Sequence, residues 1–329
     1  MNIAIIGAGG WGVALSVLLH DNGHKITLWS ALTDEVKLIR ETRENVSKLP
    51  GIIIPNDVII TSNIEEAVNG KEILVFAVPS SFIRKTSELV KPFIKNNQII
   101  VSVAKGLEDD TLFTLKQVIN DVMPDIKVAV LSGPSHAEEV SRHIPTSVIA
   151  ASTDRKTVKL LQEVFMNNTF RVYGCSDVLG VEIGAATKNV IALAAGIGDG
   201  LGFGDNSKAA LMTRGMAEII RLGKAMGAKK ETFNGLSGMG DLIVTCTSMH
   251  SRNRRAGILI GKGMRMQDAL DEIKMVVEGV YSAQAVLHLA KKFNVEMPIT
   301  ESINNILFLG MDPREEVIKL MNRDKKFED

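Results

Sequence analysis

The sequence predicts an α/β protein, with an N-terminal doubly wound Rossmann-type sheet domain followed by an all-α C-terminal domain. Three observations lead to this prediction. The first 30 residues have the pattern strand, glycine-rich turn, helix, strand. Strand and helix patterns then alternate to about residue 172, which is typical of a mostly parallel sheet covered on both faces. Only helical patterns follow, so we expect a sheet domain at 1–177 and a helical domain at 178–329.

The glycine-rich turn predicts a nucleotide site. An apolar strand at 2–6 leads directly into G-x-G-x-x-G, formed by Gly7, Gly9 and Gly12 at the start of a helix. Gly7 allows a tight turn, Gly9 lets the backbone approach a pyrophosphate, and Gly12 lets the helix pack close to the strand. Free N–H groups at the helix start favour phosphate.

The end of the second predicted strand, 25–29, leaves the choice of dinucleotide open. NAD sites often have an acidic residue there, and NADP sites often have an arginine nearby. This chain has Trp29-Ser30-Ala31, which supplies neither.

Apolar periodicity predicts the remaining elements of the first half. Strands are predicted at 58–60, 73–78, 98–103, 127–131 and 147–151. Helices are predicted at 33–44, 64–68, 80–94, 113–122 and 155–165. Ligands of such sheets bind beyond the carboxyl ends of the strands, which selects 78–80, 104–106 and 132–135 besides the glycine turn.

In the second half a period near 3.6 predicts helices joined by glycine-rich segments. These helices are at 181–195, 208–226, 252–260, 266–272, 283–293, 299–308 and 315–321. A homodimer is expected, because apolar helices such as 299–308 exceed what one core can bury.

Composition narrows the function classes. Lys plus Arg equals Asp plus Glu, 38 each, so we expect neither nucleic acid nor an anionic membrane as a partner. The widely separated Cys175 and Cys246 suit a reducing compartment, and the six histidines lack the spacing of a metal site. The apolar start 1–6 is too short for a signal peptide, and no apolar run approaches the ~18 residues of a spanning helix. A cytoplasmic location is therefore expected.

Lys188 is the candidate general base. Its neighbours on the same helix face are Gly184, Ala185, Ile191 and Ala192. On such a small, apolar face a lysine is desolvated, its pKa falls, and the neutral amine could accept a hydroxyl proton as hydride leaves the carbon. The alternative is a lysine whose stem covers apolar surface while its ammonium reaches water.

Two segments after predicted strands could contact anions. Lys105 follows an apolar strand, so its ammonium should lie over the strand ends; the alternative is a solvated surface lysine. Gly133-Pro134-Ser135 is expected to open a helix that continues through 136–140, with free N–H groups for a carboxylate or phosphate. Simple capping is the alternative.

Asp241 ends the glycine-rich run 235–241. An N-cap role would explain it fully, and a charge-assisted bond to Lys188 or to a substrate hydroxyl is the alternative. Glu278 precedes a glycine, and its surroundings indicate only a loop or a helix end.

A basic cluster begins at Ser251, which is a suitable N-cap. Arg252, Arg254 and Arg255 follow it, and their charges oppose the helix macrodipole. A phosphate held by an arginine and by helix N–H groups would explain them, and a salt bridge to carboxylates elsewhere is the ordinary alternative.

Together these residues indicate a nicotinamide dehydrogenase acting on a small phosphorylated alcohol. Two alternatives remain: another two-domain Rossmann dehydrogenase, of a hydroxy acid or an acyl thioester, and a non-catalytic dinucleotide-sensing protein.

An ordered set of motifs along nearly the whole chain resembles the bacterial NAD(P)-dependent glycerol-3-phosphate dehydrogenases. The motifs are Gly7-Ala8-Gly9-Gly10-Trp11-Gly12, Ala104-Lys105-Gly106-Leu107, Ser132-Gly133-Pro134-Ser135, Lys188-Asn189-Val190, Gly238-Met239-Gly240-Asp241-Leu242, Thr245-Cys246-Thr247, Ser251-Arg252-Asn253-Arg254-Arg255, Val277-Glu278-Gly279 and Glu296-Met297-Pro298-Ile299.

The resemblance implies interconversion of sn-glycerol 3-phosphate and dihydroxyacetone phosphate with NAD or NADP, for phospholipid synthesis. It implies that Lys188 is the proton acceptor. The implied substrate contacts are Lys105, Gly133, Ser135, Lys188, Asp241, Ser251, Arg252 and Asn253. The implied cofactor contacts, besides the glycines of the turn, are Gly10, Trp11, Lys105, Ala137, Arg252, Val276 and Glu278.

The chain departs from the family pattern near the cofactor. Gly10 stands where the family usually has Ser, and Val13 where Thr is frequent. Ala31 stands near a position that often holds a basic residue able to meet a 2′-phosphate. Arg40 or Lys37 could substitute for that residue.

Overall fold

The computed structural model describes residues 1–325 and 327. The strands of its sheet are β1 (Asn2–Ile6), β2 (Lys25–Trp29), β3 (Ile59–Thr61), β4 (Ile73–Phe76), β5 (Ile99–Ser102), β6 (Lys127–Ser132), β7 (Thr146–Ala151) and β8 (Phe170–Cys175). The helices between them are α1 (Gly10–Asp21), α2 (Thr33–Thr42), α3 (Ile64–Val68), α4 (Ile83–Val90), α5 (Leu115–Val122), α6 (Ala137–Val140) and α7 (Arg155–Phe165).

All the elements that follow β8 in the described chain are helices. The α-helices among them are α8 (Val178–Gly200), α9 (Asp205–Ala225), α10 (Lys230–Phe233), α11 (Asp241–Thr247), α12 (Arg252–Gly261), α13 (Met266–Ile273), α14 (Glu278–Lys292), α15 (Pro298–Leu309) and α16 (Pro313–Met321). The predicted fold class, a Rossmann-type sheet followed by a helical domain, is confirmed.

The sheet has the order β3-β2-β1-β4-β5-β6-β7-β8. Its first six strands are parallel and follow the 3-2-1-4-5-6 order of a doubly wound dinucleotide fold. The order reverses between β1 and β4, which opens a crevice at their carboxyl ends. β7 is antiparallel to β6, and β8 returns parallel to β7.

β8 was not predicted from the sequence. This edge strand buries Phe170 and Val172 and exposes Arg171 and Tyr173. Two buried side chains are too weak a period-2 signal to separate a strand from a loop, and Gly174 weakens it further.

Several helices differ from the predicted ones, and three of the differences concern predicted site residues. α6 begins at Ala137 and not at Pro134, so the segment 133–136 is an extended turn before a single helical turn. α14 begins at Glu278, five residues before the predicted start at 283. The glycine-rich joint after α10 forms a π-helical turn, Leu236–Gly240, that runs directly into α11, a helix that was not predicted.

The helical domain is built around α8, whose small residues allow close packing. A Cβ on Gly196 would lie 2.0 Å from the carbonyl oxygen of Arg254, and one on Gly257 would lie 2.2 Å from that of Leu193. The backbones of α8 and α12 are therefore nearly in contact. This crossing brings the start of α12 beside the middle of α8, where Lys188 lies.

By length and composition α8 could cross a membrane, with a mean hydropathy of 1.4 over its most apolar window. The expectation that no apolar stretch approaches spanning length is wrong for this helix, because Ala, Val and Ile outweigh Glu182 and Lys188 in the average. Within the described structure 94% of that window is buried by the rest of the protein.

Candidate active site

A cavity of about 730 Å³ lies between the carboxyl ends of β1, β2, β4 and β5 and the helical domain. This volume is in the range of small-molecule and cofactor sites. Its walls include these predicted site residues: Gly7, Gly9, Gly10, Trp11, Lys105, Ser135, Ala137, Lys188, Asp241, Ser251, Arg252, Asn253, Val276 and Glu278. Gly12 and Gly133 lie just behind the wall, where Gly12 packs on Gly7 and Gly133 accepts a hydrogen bond from Lys105.

The glycine turn has the geometry of a pyrophosphate cradle. Gly7 has a φ of +121°, and a Cβ there would lie 2.8 Å from the backbone of Ala77 at the end of β4. A Cβ on Gly12 would lie 1.9 Å from the carbonyl oxygen of Gly7, whereas Gly9 faces open space. The first N–H groups of α1 have no partner within the helix, so they can donate to an anion beside Gly9. These residues fit a bound dinucleotide.

Gly10 is also packed tightly. A Cβ there would lie 2.9 Å from the carbonyl oxygen of Lys48. Serine, the residue usual in the resembled family, would require the backbone at Lys48 to shift. The absence of a serine hydroxyl at position 10 thus goes together with a close approach of the 45–49 segment to the glycine turn.

Lys188 and Asp241 form the buried centre of the cavity. The Lys188 Nζ donates to Asp241 Oδ1 at 2.8 Å and to Thr245 Oγ1 at 2.6 Å. Lys188 is 4% exposed and Asp241 is 1% exposed, so the alternative in which the lysine reaches bulk water is wrong. Lys105 Nζ donates to the other carboxylate oxygen of Asp241 at 2.7 Å and to the carbonyl oxygen of Gly133 at 2.8 Å.

Asp241 is the first residue of α11, whose N-cap position is occupied by Gly240, so the N-cap alternative is wrong. Its carboxylate instead bridges two lysines from different domains. The charge-assisted bond to Lys188 was one of the two alternatives, and the bond to Lys105 was not anticipated.

Burial and neighbouring charges set the protonation of this group. The pKa of Lys188 is lowered to about 8, chiefly by burial, with Asp241 opposing the fall and the charge of Lys105 adding to it. Burial by itself would raise the pKa of Asp241, but the attraction of Lys105 and Lys188 outweighs it and the pKa is lowered. The site therefore contains a carboxylate that stays ionised beside an amine with a pKa of about 8.

The basic cluster on α12 divides into two kinds of arginine. Ser251 caps the helix by accepting from the Arg254 N–H at 3.2 Å. Arg254 forms the salt bridge of the ordinary alternative, with its Nε 2.7 Å from Asp199. Arg252 and Arg255 line the cavity, and their guanidinium groups make no hydrogen bond or salt bridge with any residue that the structure describes. Burial lowers the pKa of Arg252, with Glu278 and Glu138 opposing the fall.

An asparagine pair ties the three helices around the site together. Asn253 Nδ2 on α12 donates to Asn189 Oδ1 on α8 at 2.9 Å. Asn253 Oδ1 accepts from the Gly279 N–H at the start of α14 at 2.8 Å. The position of Arg252 relative to Lys188 is therefore held by buried polar contacts.

The side chain of Glu278, at the start of α14, contacts the sheet domain. Its carboxylate accepts from the Ser80 N–H at 3.0 Å and from the Ser80 hydroxyl. Burial raises the pKa of Glu278, while the bonds from Ser80 and the charge of Arg252 oppose the rise. Of the two expectations for Glu278, a loop or a helix end, the second is confirmed, and its side chain joins the helical and sheet parts at the cavity wall.

Several cavity residues were not singled out from the sequence. Thr245 follows Asp241 by four residues on one helix, so the helical period could have placed the two together. Asn189 adjoins Lys188 and contacts Asn253. Burial, followed by the charge of Lys188, lowers the pKa of His136 to about 4, and its buried Nε2 has no hydrogen-bond partner in the described structure.

Comparisons with known proteins agree with this geometry. The sequence models of the NAD-dependent glycerol-3-phosphate dehydrogenase N-terminus and C-terminus match residues 2–158 and 177–318. A protein of Fusobacterium nucleatum named glycerol-3-phosphate dehydrogenase [NAD(P)+] is 55% identical over 100% of this chain and 98% of its own. One of the same name from Agathobacter rectalis is 54% identical over 99% of this chain and 97% of its own.

Among solved structures, the crystal structure of glycerol-3-phosphate dehydrogenase from Coxiella burnetii superposes with a TM-score of 0.95 and 38% identity. The alignment covers 98% of this chain and 99% of that one. The resemblance seen in the ordered motifs is confirmed over both the sheet and the helical parts. The chain belongs to the NAD-dependent glycerol-3-phosphate dehydrogenase family.

Proposed function

We propose that this protein interconverts sn-glycerol 3-phosphate and dihydroxyacetone phosphate by hydride transfer with NAD or NADP. The observation that carries the proposal is the buried Lys188, bonded to Asp241 and Thr245 in a cavity that also holds the glycine turn and Arg252. A proton acceptor, a dinucleotide cradle and an unpaired guanidinium are the three elements that oxidation of a phosphorylated secondary alcohol requires.

Lys188 is the proposed proton acceptor. Gly7, Gly9 and Trp11 would hold a dinucleotide, whose nicotinamide would supply the hydride-transfer chemistry. Neutral Lys188 takes the proton of the substrate hydroxyl during oxidation, and the ammonium returns it to the carbonyl oxygen during reduction. A pKa of about 8 keeps both forms accessible near neutral pH.

Asp241, Thr245 and Lys105 are proposed to orient the amine and the substrate. Asp241 and Thr245 fix the direction of the Lys188 Nζ from one side. Lys105 shares the same carboxylate, so its ammonium can donate to a substrate oxygen while the Asp241 charge stays compensated. Excluding water from this buried group strengthens each of these bonds.

Arg252 is proposed to bind the substrate phosphate together with Ser251, Asn253 and the N–H groups at the start of α12. The helix has ten residues, so its N-terminal partial charge is well developed. A phosphate there would supply the negative charge that Arg252 and Arg255 lack, whereas Arg254 already pairs with Asp199.

The remaining assignments are part of the same proposal. Residues 1–177 would form the dinucleotide-binding domain and 178–329 the substrate domain. The change from strand to helix between the end of β8 at Cys175 and the start of α8 at Val178 supports this division. Trp11, Gly133, Ser135, Ala137, Val276 and Glu278 would complete the two binding sites. The cytoplasm is the proposed location.

A homodimer is also proposed, although not through the face first expected. Ile299, Ile303 and Leu307 of α15 are buried within the chain, whereas Leu309, Ile318 and Met321 are exposed. Light scattering of the protein and of an Ile318→Glu variant tests the dimer. Two monomeric samples would contradict it.

The activity is tested by following oxidation of NADH, and separately of NADPH, with dihydroxyacetone phosphate. Turnover with the phosphorylated ketone and little turnover with a 2-keto acid supports the proposal. Preference for the keto acid would favour another Rossmann dehydrogenase. Cofactor binding without turnover of either substrate would favour a sensor.

A further inference from the structure

The carboxylate of Glu35 is held rigidly on the cavity wall near the end of β2. Its Oε2 accepts from the Ser30 hydroxyl at 2.6 Å, and its Oε1 accepts from Asn45 Nδ2 at 3.0 Å. Ser30 Oγ in turn accepts from the Leu32 N–H at 3.2 Å, and Ser30 is buried. Both Glu35 and Ser30 line the cavity that contains the glycine turn.

The same contacts place Glu35 close to the glycine turn. Asn45 Nδ2, which donates to Glu35, also donates to the carbonyl oxygen of Ala8 at 2.7 Å. The Gly7 N–H donates to the carbonyl oxygen of Trp29, the last residue of β2, at 2.9 Å. One asparagine therefore links the carboxylate to the turn.

In doubly wound folds, side chains at this position contact the adenosine ribose of the bound dinucleotide. An acidic side chain at the end of the second strand accepts hydrogen bonds from the ribose 2′-hydroxyl, and a basic one accommodates a 2′-phosphate. β2 itself ends without either kind of residue. Glu35, in the first turn of α2, brings a carboxylate to the same edge of the sheet.

We propose that Glu35 makes this dehydrogenase select NAD(H) over NADP(H). The carboxylate can accept from ribose hydroxyls, and it repels the extra phosphate of NADP(H) at short range. This inference rests on the proposed function, since it concerns the cofactor of that same site.

Three nearby cations could oppose the carboxylate. Arg40 Nε donates to the carbonyl oxygen of Ile60 at 2.7 Å, so Arg40 is directed toward β3. Lys37 is exposed on α2 and is not on the cavity wall. Of these three, only Lys48 lines the cavity, so it is the one of the three that could pair with a 2′-phosphate. The test must therefore separate Glu35 from Lys48.

The test measures dissociation constants by calorimetry for NADH and NADPH, and for 5′-AMP and 2′,5′-ADP as fragments that carry only the adenosine end. Four forms of the full-length protein are compared: the parent, Glu35→Gln, Lys48→Gln and Asp34→Asn. Gln keeps the size of Glu and an acceptor for Asn45. Asp34 is the matched control, because it lies in the same helical turn but is exposed and off the cavity wall.

We expect the parent to bind NADH at least ~10-fold more tightly than NADPH, and Glu35→Gln to shrink that ratio at least ~10-fold through tighter NADPH binding. The fragments should show the same change, and Asp34→Asn should show none. Lys48→Gln should leave the ratio within ~3-fold of the parent.

Three results would overturn the inference. The first is equal affinity of the parent for both cofactors. The second is an equal loss of affinity for NADH and NADPH in Glu35→Gln, which would mean that Glu35 only holds Ser30 and Asn45 in place. The third is a cofactor preference that changes in Lys48→Gln and not in Glu35→Gln. Because binding is measured without turnover, an inactive protein that prefers NADH would contradict the proposed function and not this inference.

Discussion

The Lys188 ammonium lies 2.8 Å from the Asp241 carboxylate, in a pocket where both side chains are nearly inaccessible to water. A simple buried ion pair would keep the lysine charged. Here the carboxylate is shared with Lys105, so two ammonium groups compete for one negative charge. Burial then favours the neutral form of the more enclosed lysine, and the pKa of Lys188 falls to about 8.

This arrangement predicts opposite pH dependences for the two directions of the reaction. Oxidation of glycerol 3-phosphate needs the neutral amine, so its kcat/KM should rise as the pH increases through about 8. Reduction of dihydroxyacetone phosphate needs the ammonium, so its kcat/KM should fall over the same range. Initial rates measured from about pH 6 to about pH 10, a range that brackets the pKa of this group, test both signs. The same sign in both directions would remove Lys188 as the titrating group.

Removing the amine should separate chemistry from cofactor binding. In Lys188→Ala we expect turnover to fall by at least ~10², with the dissociation constant for reduced dinucleotide close to that of the parent. Lys188→Arg is the matched variant, because a guanidinium keeps the charge but does not release its proton. It should be as slow as Lys188→Ala. If either variant kept most of its kcat, another residue would be the base.

The arginines of α12 should differ in what they bind. Arg252→Ala should weaken binding of dihydroxyacetone phosphate by ~2–4 kcal/mol, because a phosphate would lose its charged partner inside the cavity. The unphosphorylated analogue dihydroxyacetone provides the internal comparison, since its kcat/KM should hardly change. Arg254→Ala removes the bond to Asp199 and should lower Tm with little effect on KM. Equal substrate affinity in Arg252→Ala and the parent would take Arg252 out of the phosphate site.

Glu182 offers a test of the buried core beside the site. Burial raises the pKa of Glu182 to about 7, although its carboxylate accepts from the Lys116 N–H at 2.8 Å. In the unfolded chain the group titrates near its ordinary pKa of about 4.3. Between these two values the folded state holds a proton that the unfolded state has lost, so this group destabilises the fold as the pH rises toward 7.

Glu182→Gln should therefore raise the free energy of unfolding at pH 8 by up to about 3 kcal/mol and have little effect near pH 4. The amide oxygen can still accept from Lys116, so packing is preserved. Denaturant unfolding of the parent and the variant at both pH values measures the difference. An equal shift at both pH values would mean that the effect is packing and not protonation.

Local pattern was enough to predict much of this architecture. The apolar runs at 2–6 and 25–29 and the glycines between them are contiguous, so the βαβ unit could be recognised without any distant contact. Lys188 could be singled out because its small neighbours lie one helical turn away on the same face. Phe170–Cys175 was missed because an edge strand buries only alternate residues.

The sequence by itself determined most of the order of strands and helices, the dinucleotide turn and the identity of the basic and acidic side chains. Only the tertiary structure decided which charges meet. Asp241 joins Lys105 across 136 residues and Lys188 across 53, and Glu278 meets Ser80 across 198. These contacts depend on the close crossing of α8 and α12 and on the crevice between β1 and β4, where burial turns ordinary side chains into groups with altered pKa values. Local periodicity carries no information about such long-range contacts, because it reports which face of an element is buried and not what lies against that face.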